Sequence, residues 1–296
     1  MKILPGILLF CFSIAAAALE PVRHIVDSDG HPMAVWEKSA GEPRATILLL
    51  HGRTWSSIPD YDLQVDGEDL SFMDGLTELG YRVFALDARG YGGTPRDVSG
   101  WLTPQRAATD VANVLRWIKQ RAESDVHLFG WSYGSMVSQL VVQREPGIVA
   151  SAILFGYPYN PQRYVITGDE IYPDQPPALP NTALNAASDF ITPGSISSRA
   201  IKAYVEQALV ADPVRVDFKD LHQWLELDAV KVKTPTLLLK AEFDPLAPMT
   251  EQAQFFSQLG VSHKWFVVLA GGDHAALLEE PRDDMLHAID SFIQSQ

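Results

Sequence analysis

A single cysteine, Cys11, occurs in 296 residues, and it lies within the N-terminal stretch MKILPGILLFCFSIAAAALE. No intrachain disulfide can form, and a chain trimmed of that stretch has neither a thiolate nucleophile nor a thiolate metal ligand. Cations are scarce: 23 Lys and Arg against 37 Asp and Glu give a net charge of −14. That balance favours solubility and argues against nucleic acid, polyphosphate or an anionic membrane as partner. No HExxH or comparable His/Asp/Glu spacing is present, so no metal is expected. No GxGxxG follows the first strand and no GK[ST] occurs, which removes the common phosphate loops, and no cofactor is expected. No internal repeat is visible.

The N-terminal stretch has a composition of its own. Lys2 supplies a positive start, Ile7 to Ile14 form an apolar run too short to span a bilayer comfortably, and Ala15 to Ala18 offer small residues for cleavage. Residues 1–18 read as a cleaved secretory signal, which makes the mature protein secreted or periplasmic, without stable membrane insertion. Cys11 follows Leu9 and Phe10, which are too bulky for a lipidated cysteine.

With 47% hydrophobic residues the remaining chain can bury a large core. Two short strand-like runs flank Asp27-Ser-Asp-Gly30 between Val22 and Trp36, predicting an opening hairpin. The continuous run ATILLL (Ala45 to Leu50) predicts a strand buried on both faces. Helical spacing over Asp69 to Leu79, closed by Gly80, is followed by the strand Arg82 to Asp87. Thr103 and Pro104 open a helix carrying Ala107, Val111, Val114, Leu115 and Ile118 on one face. The strand Val126 to Phe129, a helix after Gly134 and the strand Ala150 to Phe155 continue the alternation.

At Tyr157 the alternation breaks into a stretch rich in proline and tyrosine, with one helix predicted over Ser198 to Val210 and a short one near Leu221. It resumes at Thr236, with a helix from Thr250 to Leu259, the strand Lys264 to Leu269, and a C-terminal helix opened by Pro281. The pattern predicts an α/β fold: a mostly parallel central sheet, helices on both faces, and a helical or irregular cap. The core comprises 19–156 and 229–296, and the cap 157–228.

Within this frame stands FGWSYGSM, Phe129 to Met136. G-x-S-x-G alone arises by chance in roughly one chain in ten of this length. Here it sits where a strand ends and a helix begins, so small residues at 130 and 134 let the backbone turn tightly, and the helix N-terminus faces any developing oxyanion. A serine hydroxyl needs a base to take its proton and a group to orient that base. Of eight histidines, only His51 and His274 fall at C-terminal ends of predicted strands, and His274 in GGDHAALLEEP is the candidate base. Asp244, after TLLL and before Pro245, is the candidate carboxylate, with Asp273 and Glu242 as rivals.

These segments resemble the α/β-hydrolase superfamily over nearly the whole chain beyond residue 18. LLLHGRTW (Leu48 to Trp55), DARGYGGT (Asp87 to Thr94), GWSYG and the order Ser132, Asp244, His274 carry the likeness, which is to a serine-nucleophile, esterase- or lipase-like member with a cap insertion. The resemblance implies a structural role for His51 and Gly52, and an oxyanion hole made by the backbone N–H groups of Arg53 and Tyr133. Arg53 departs from the apolar or small residue familiar there. Its side chain either faces the pocket as an anion clamp or pairs with a surface carboxylate. Asp87 and Arg89 read as a structural pair under the floor of the site. Trp55, Trp131 and Tyr157 are candidate substrate-binding aromatics, with core packing as their competing role.

The implied reaction is hydrolysis of a carboxylic ester or related acyl bond on a small-molecule acyl substrate, through an acyl-serine. Activity is expected to rise as pH climbs through the range where a histidine loses its proton. A peptidase remains open but lacks an HGGPG-like run; acyltransferases, thioesterases, cofactor-free perhydrolases and C–C hydrolases use the same triad. A non-catalytic binding protein on this scaffold is the alternative from another class.

Overall fold

The computed structural model describes residues 19–158 and 172–296. The expected signal at 1–18, with Cys11, lies outside the described residues, as does part of the expected cap, including Tyr159, Pro161 and Tyr164.

The opening hairpin joins β1 (Val22–Ser28) to β2 (His31–Lys38) in antiparallel register. Asp29 and Gly30 make its turn at φ 53° and 81°, the doubly positive geometry that Asp-Gly tolerates and that matches strand twist. Then follow β3 (Ala45–Leu50), β4 (Tyr81–Leu86), the two-residue β5 (Trp101–Leu102), β6 (Val126–Trp131), β7 (Ser151–Phe155), the two-residue β8 (Asp217–Phe218), β9 (Thr236–Ala241) and β10 (Lys264–Leu269). Eight of these form one sheet in the order β1-β2-β4-β3-β6-β7-β9-β10, parallel from β4 onward. The helices are α1 (Ser57–Tyr61), α2 (Phe72–Glu78), α3 (Pro104–Lys119), α4 (Tyr133–Arg144), α5 (Ala183–Ala187), α6 (Ser198–Ala211), α7 (Met249–Gln258) and α8 (Arg282–Gln294).

The two faces of β3 show how the sheet is covered. Ile47 and Leu49 belong to one core with Met73 and Leu76 of α2 and Met285 and Ile289 of α8. Leu48 and Leu50 face the other, with Val111 and Leu115 of α3 and Met136 and Leu140 of α4. Each such side chain contributes about 1.5–3 kcal/mol by leaving water, so the strand is pinned from both sides. Thr103 caps α3 by accepting from the Arg106 N–H, with Pro104 at the first helical position. α2 starts three residues later than its spacing suggests, because Ser71 accepts from the Asp74 N–H and sets the cap there. Among the described residues, no helix is long and apolar enough to cross a membrane.

Between β7 and β9 the chain leaves the sheet and carries α5, α6, β8 and a 3₁₀ turn at Leu221–Glu226. β8 pairs in parallel with β5, so this insertion is stitched to the excursion that follows β4. The insertion and the ends of β3, β6, β7 and β9 meet over one edge of the sheet, where the motif residues lie.

Candidate active site

Ser132 occupies the single residue between β6 and α4 at φ 55°, ψ −116°. A non-glycine residue holds such angles only where its surroundings impose them. Its N–H donates to the Phe155 carbonyl at 2.8 Å, and its carbonyl accepts from the Ser135 N–H at 3.0 Å. A Cβ at Gly130 would fall 2.4 Å from the Gly134 carbonyl oxygen, and one at Gly134 would fall 2.3 Å from that of Leu50. Only glycine fits at either position.

His274 follows β10, and its Nε2 lies 2.8 Å from Ser132 Oγ while its Nδ1 lies 2.8 Å from Asp244 Oδ2. An ionised carboxylate can only accept, so Nδ1 carries the proton and Nε2 is free to accept from the serine hydroxyl. Asp244 sits in the turn after β9; burial pushes its pKa up, but hydrogen bonding and charge from His274 and the Leu246 N–H outweigh this and leave it lowered. Relative exposure is 8% for Ser132, 4% for Asp244 and 9% for His274, so the three communicate largely away from water. An arrangement of this order can move a proton from Oγ to Nε2 and stabilise the resulting imidazolium.

Both rival carboxylates are engaged elsewhere. Asp273 Oδ2 accepts from the N–H groups of Ile191 and Thr192 in the insertion, at 2.9 and 2.5 Å, while Oδ1 accepts from the Ala275 N–H. Glu242 accepts from the Gly271 N–H. Trp131 spends its indole N–H on the His274 carbonyl at 2.7 Å, with its ring 5.7 Å from the imidazole. That buried side chain supports the histidine loop. Gly156 at φ 57° passes beneath the pair, where a Cβ would lie 3.0 Å from His274 Cε1 and 3.3 Å from Asp244 Oδ2.

Around the loop after β3, His51 is fully enclosed and burial lowers its pKa, against the opposing field of Asp87 and the Gly52 hydrogen bond. The neutral ring donates from Nδ1 to the Gly52 carbonyl at 2.8 Å and accepts the Ala88 N–H on Nε2 at 3.0 Å. Gly52 packs against the nucleophile, its Cβ position being 3.5 Å from Ser132 Cβ. Neither the Arg53 nor the Tyr133 backbone N–H meets an acceptor among the described residues. Thr54 holds φ 102°, and its N–H reaches the Tyr91 hydroxyl at 3.3 Å.

The expected Asp87–Arg89 pair does not form. Asp87 accepts from Trp36 Nε1 and the N–H groups of Ser57 and Gly93, whereas Arg89 makes a two-pronged ion pair with Asp110 of α3 at 2.7 and 2.9 Å. Gly92 and Gly93 of DARGYGGT serve Asp87: a Cβ at Gly92 would fall 2.5 Å from Asp87 Oδ2, and the Gly93 N–H donates to the same oxygen.

Of the three candidate substrate-binding aromatics, Tyr157 is a correction. It is fully buried, stacked on Phe255 at 4.3 Å, with its hydroxyl on Gln139 and its carbonyl on Gln252. Its position two residues past the end of β7 puts it into the core rather than the site. Trp55 lies at the seam with the insertion, its ring edge-on to Tyr204 of α6 at 6.5 Å. Beside it is a carboxylate that nothing in the sequence singled out. Burial pushes the pKa of Asp189 up to about 6, with His274, the Trp55 indole N–H and the Tyr204 hydroxyl pulling the other way; the indole lies outside direct hydrogen-bond geometry. Tyr204 bridges Asp60 at 2.9 Å and Asp189 at 3.4 Å, and Asp60, enclosed with other carboxylates nearby, has its pKa raised by burial. No group of three or more His, Cys, Asp or Glu that could hold a metal occurs among the described residues.

A doubly covered, mostly parallel sheet with a serine at the β6–α4 turn defines an α/β-hydrolase fold. Residues 41–281 match the model of the Hydrolase_4 family, described as serine aminopeptidase, S33, and the chain belongs to this family of α/β-fold hydrolases. Solved structures with the same fold include a serine hydrolase involved in carbazole degradation, the CarC enzyme (TM-score 0.65, 18% identity, covering 93% of this chain and 100% of that one). An epoxide hydrolase from Vigna radiata (0.65, 19%, 95% and 100%) and E-2-(acetamidomethylene)succinate hydrolase (0.65, 21%, 93% and 100%) are similar to the same extent. At these identities the likeness is one of fold. No curated protein sequence matches the chain.

Proposed function

We propose that this hydrolase cleaves a carboxylic ester, or a related acyl bond of a small molecule, through an acyl-serine intermediate. The observation that carries the reading is the unbroken line from Ser132 Oγ through His274 to Asp244, at 2.8 Å for each link. His274 takes the proton as Oγ attacks the carbonyl carbon, then returns it to the departing alkoxide as the tetrahedral intermediate collapses. Water, deprotonated by the same imidazole, attacks the acyl-serine and restores the hydroxyl. Because His51 ties down the Gly52 carbonyl, the trans peptide aims the Arg53 N–H the opposite way; with the Tyr133 N–H at the start of α4 it supplies the oxyanion donors.

A serine at this turn supports acyl chemistry over epoxide opening, for which an aspartate nucleophile is suited. The family description names an aminopeptidase, but HGRTW departs from an HGGPG-like run, which supports the ester reading over the peptide one. The leader reading of 1–18 makes the protein secreted or periplasmic, and N-terminal sequencing of exported protein tests it.

The deciding experiment treats the parent and Ser132→Ala with a fluorescent fluorophosphonate beside 4-nitrophenyl acyl esters and aminoacyl anilides. Labelling of the parent alone with ester turnover is expected. Anilide turnover without ester turnover would favour the peptidase, and a folded parent that takes no label would reduce the serine to scaffold.

A further inference from the structure

The loop that follows β3 ends in a cation with an unusual setting. Arg53 is exposed, and its guanidinium carbon lies 4.6 Å over the ring of Phe218 in β8. Phe218 in turn meets the ring of Tyr133, the residue after the nucleophile, edge-on at 5.1 Å. The residue before Arg53, Gly52, faces the nucleophile so closely that a Cβ there would lie 3.5 Å from Ser132 Cβ. The Arg53 backbone is therefore anchored next to the nucleophile while its side chain rests on a ring of the insertion.

Stacking on a ring occupies one face of a guanidinium and leaves its N–H edge unspent. No carboxylate of the described residues lies within 4 Å of Arg53, whereas Arg44, Arg82, Arg89, Arg96, Arg116, Arg144, Arg199 and Arg282 each have one. Arg23, Arg106 and Arg121 share the lack, and Arg53 differs from these three in lying one residue past Gly52 in the loop against Ser132. The expectation that Arg53 pairs with a surface carboxylate is thus not met. Arg215, three residues before Phe218 and likewise exposed, has no carboxylate within that distance among the described residues. Just past Arg53, the Thr54 N–H meets the Tyr91 hydroxyl at 3.3 Å, which ties the loop backbone to the buried Tyr91 ring.

We propose that Arg53 is a specificity residue that binds an ionised carboxylate carried by the substrate beyond its scissile carbonyl. The N–H edge of a guanidinium matches two carboxylate oxygens in a forked pair, and the aromatic support restricts its motion before binding. In an acidic protein, a guanidinium with an unspent N–H edge beside the loop of the nucleophile gives the anionic end of a substrate a partner. The proposal rests on the acyl-serine reading above.

The test compares 4-nitrophenyl hemiadipate, whose acyl chain ends in a carboxylate, with neutral 4-nitrophenyl hexanoate of the same chain length. The parent is expected to prefer the hemiadipate in kcat/KM by about tenfold or more, and 0.5 M NaCl to shrink that preference. Arg53→Gln is expected to abolish the preference mainly through KM, and Arg53→Lys to restore part of it. Equal loss on both esters in Arg53→Gln, or no preference in the parent, overturns the proposal. Calorimetric binding of adipate to Ser132→Ala, with and without Arg53→Gln, separates the two claims. Arg53-dependent adipate binding without ester turnover keeps the clamp and sinks the hydrolase reading. Serine-dependent hexanoate turnover with no adipate binding does the reverse.

Discussion

Gly130 and Gly134 are confined by backbone oxygens 2.4 and 2.3 Å from where a Cβ would sit, whereas Ser132 between them is confined by its chemistry. Removing the Ser132 hydroxyl leaves the fold alone, so Ser132→Ala is expected to lose about 10³–10⁶-fold in kcat and retain its melting temperature. Asp244→Asn keeps the shape of the carboxylate but not its charge, and is expected to cost on the order of 10³–10⁴ in kcat. Gly156 offers a subtler test. Its positive φ and its closeness to both His274 and Asp244 mean that Gly156→Ala presses on the pair from below. We expect a stable protein with kcat reduced at least tenfold; unchanged turnover would show that the imidazole has room to retreat.

The loop from His51 to Trp55 behaves as an element although it is neither helix nor strand. Thr54 at φ 102° carries strain of about 1–3 kcal/mol, since a β-branched residue rarely adopts it. Thr54→Gly relieves that strain against a backbone entropy cost of up to about 1 kcal/mol, so stability should hold or rise slightly while kcat falls as Arg53 N–H loses its aim. Steady-state kinetics and thermal unfolding on the same preparation decide it, and equal kcat would sink the idea. Such a loop shows why legibility differed along the chain. The strand, turn and helix around Ser132 were readable because apolar periodicity changes at GWSYG, and His274 and Asp244 because each follows an apolar strand run. Arg89 choosing Asp110 over Asp87, Asp189 arriving beside His274, and Tyr157 turning into the core depend on side-chain directions between segments far apart in sequence. No local pattern encodes those directions. The short α1 and α5, five residues each, lack the length for periodicity to register.

Across the whole molecule, carboxylates collect where the insertion meets the sheet. Burial pushes Asp189 and Asp212 up to about 6 and Glu279 to about 7. Each binds its proton more tightly folded than unfolded, where a carboxyl titrates near 4. Each therefore erodes stability as pH rises through the interval between those values. Asp189→Asn is expected to raise the melting temperature by about 1–3 °C at pH 8, and the gain should shrink below about pH 6 and vanish by about pH 3, where Asp189 is protonated in both states. A gain independent of pH would mean that the side chain's shape, not its charge, is responsible. The same seam explains Asp273. Its carboxylate grips two amides of the insertion, and its own N–H is held by Glu279, which also accepts from Ser195. The residue that fastens the roof is thus the immediate neighbour of the base. Anyone grafting a different roof onto this scaffold inherits a wiring problem: a transplanted segment that fails to present two amides at positions 191 and 192 will detune the histidine before any substrate arrives.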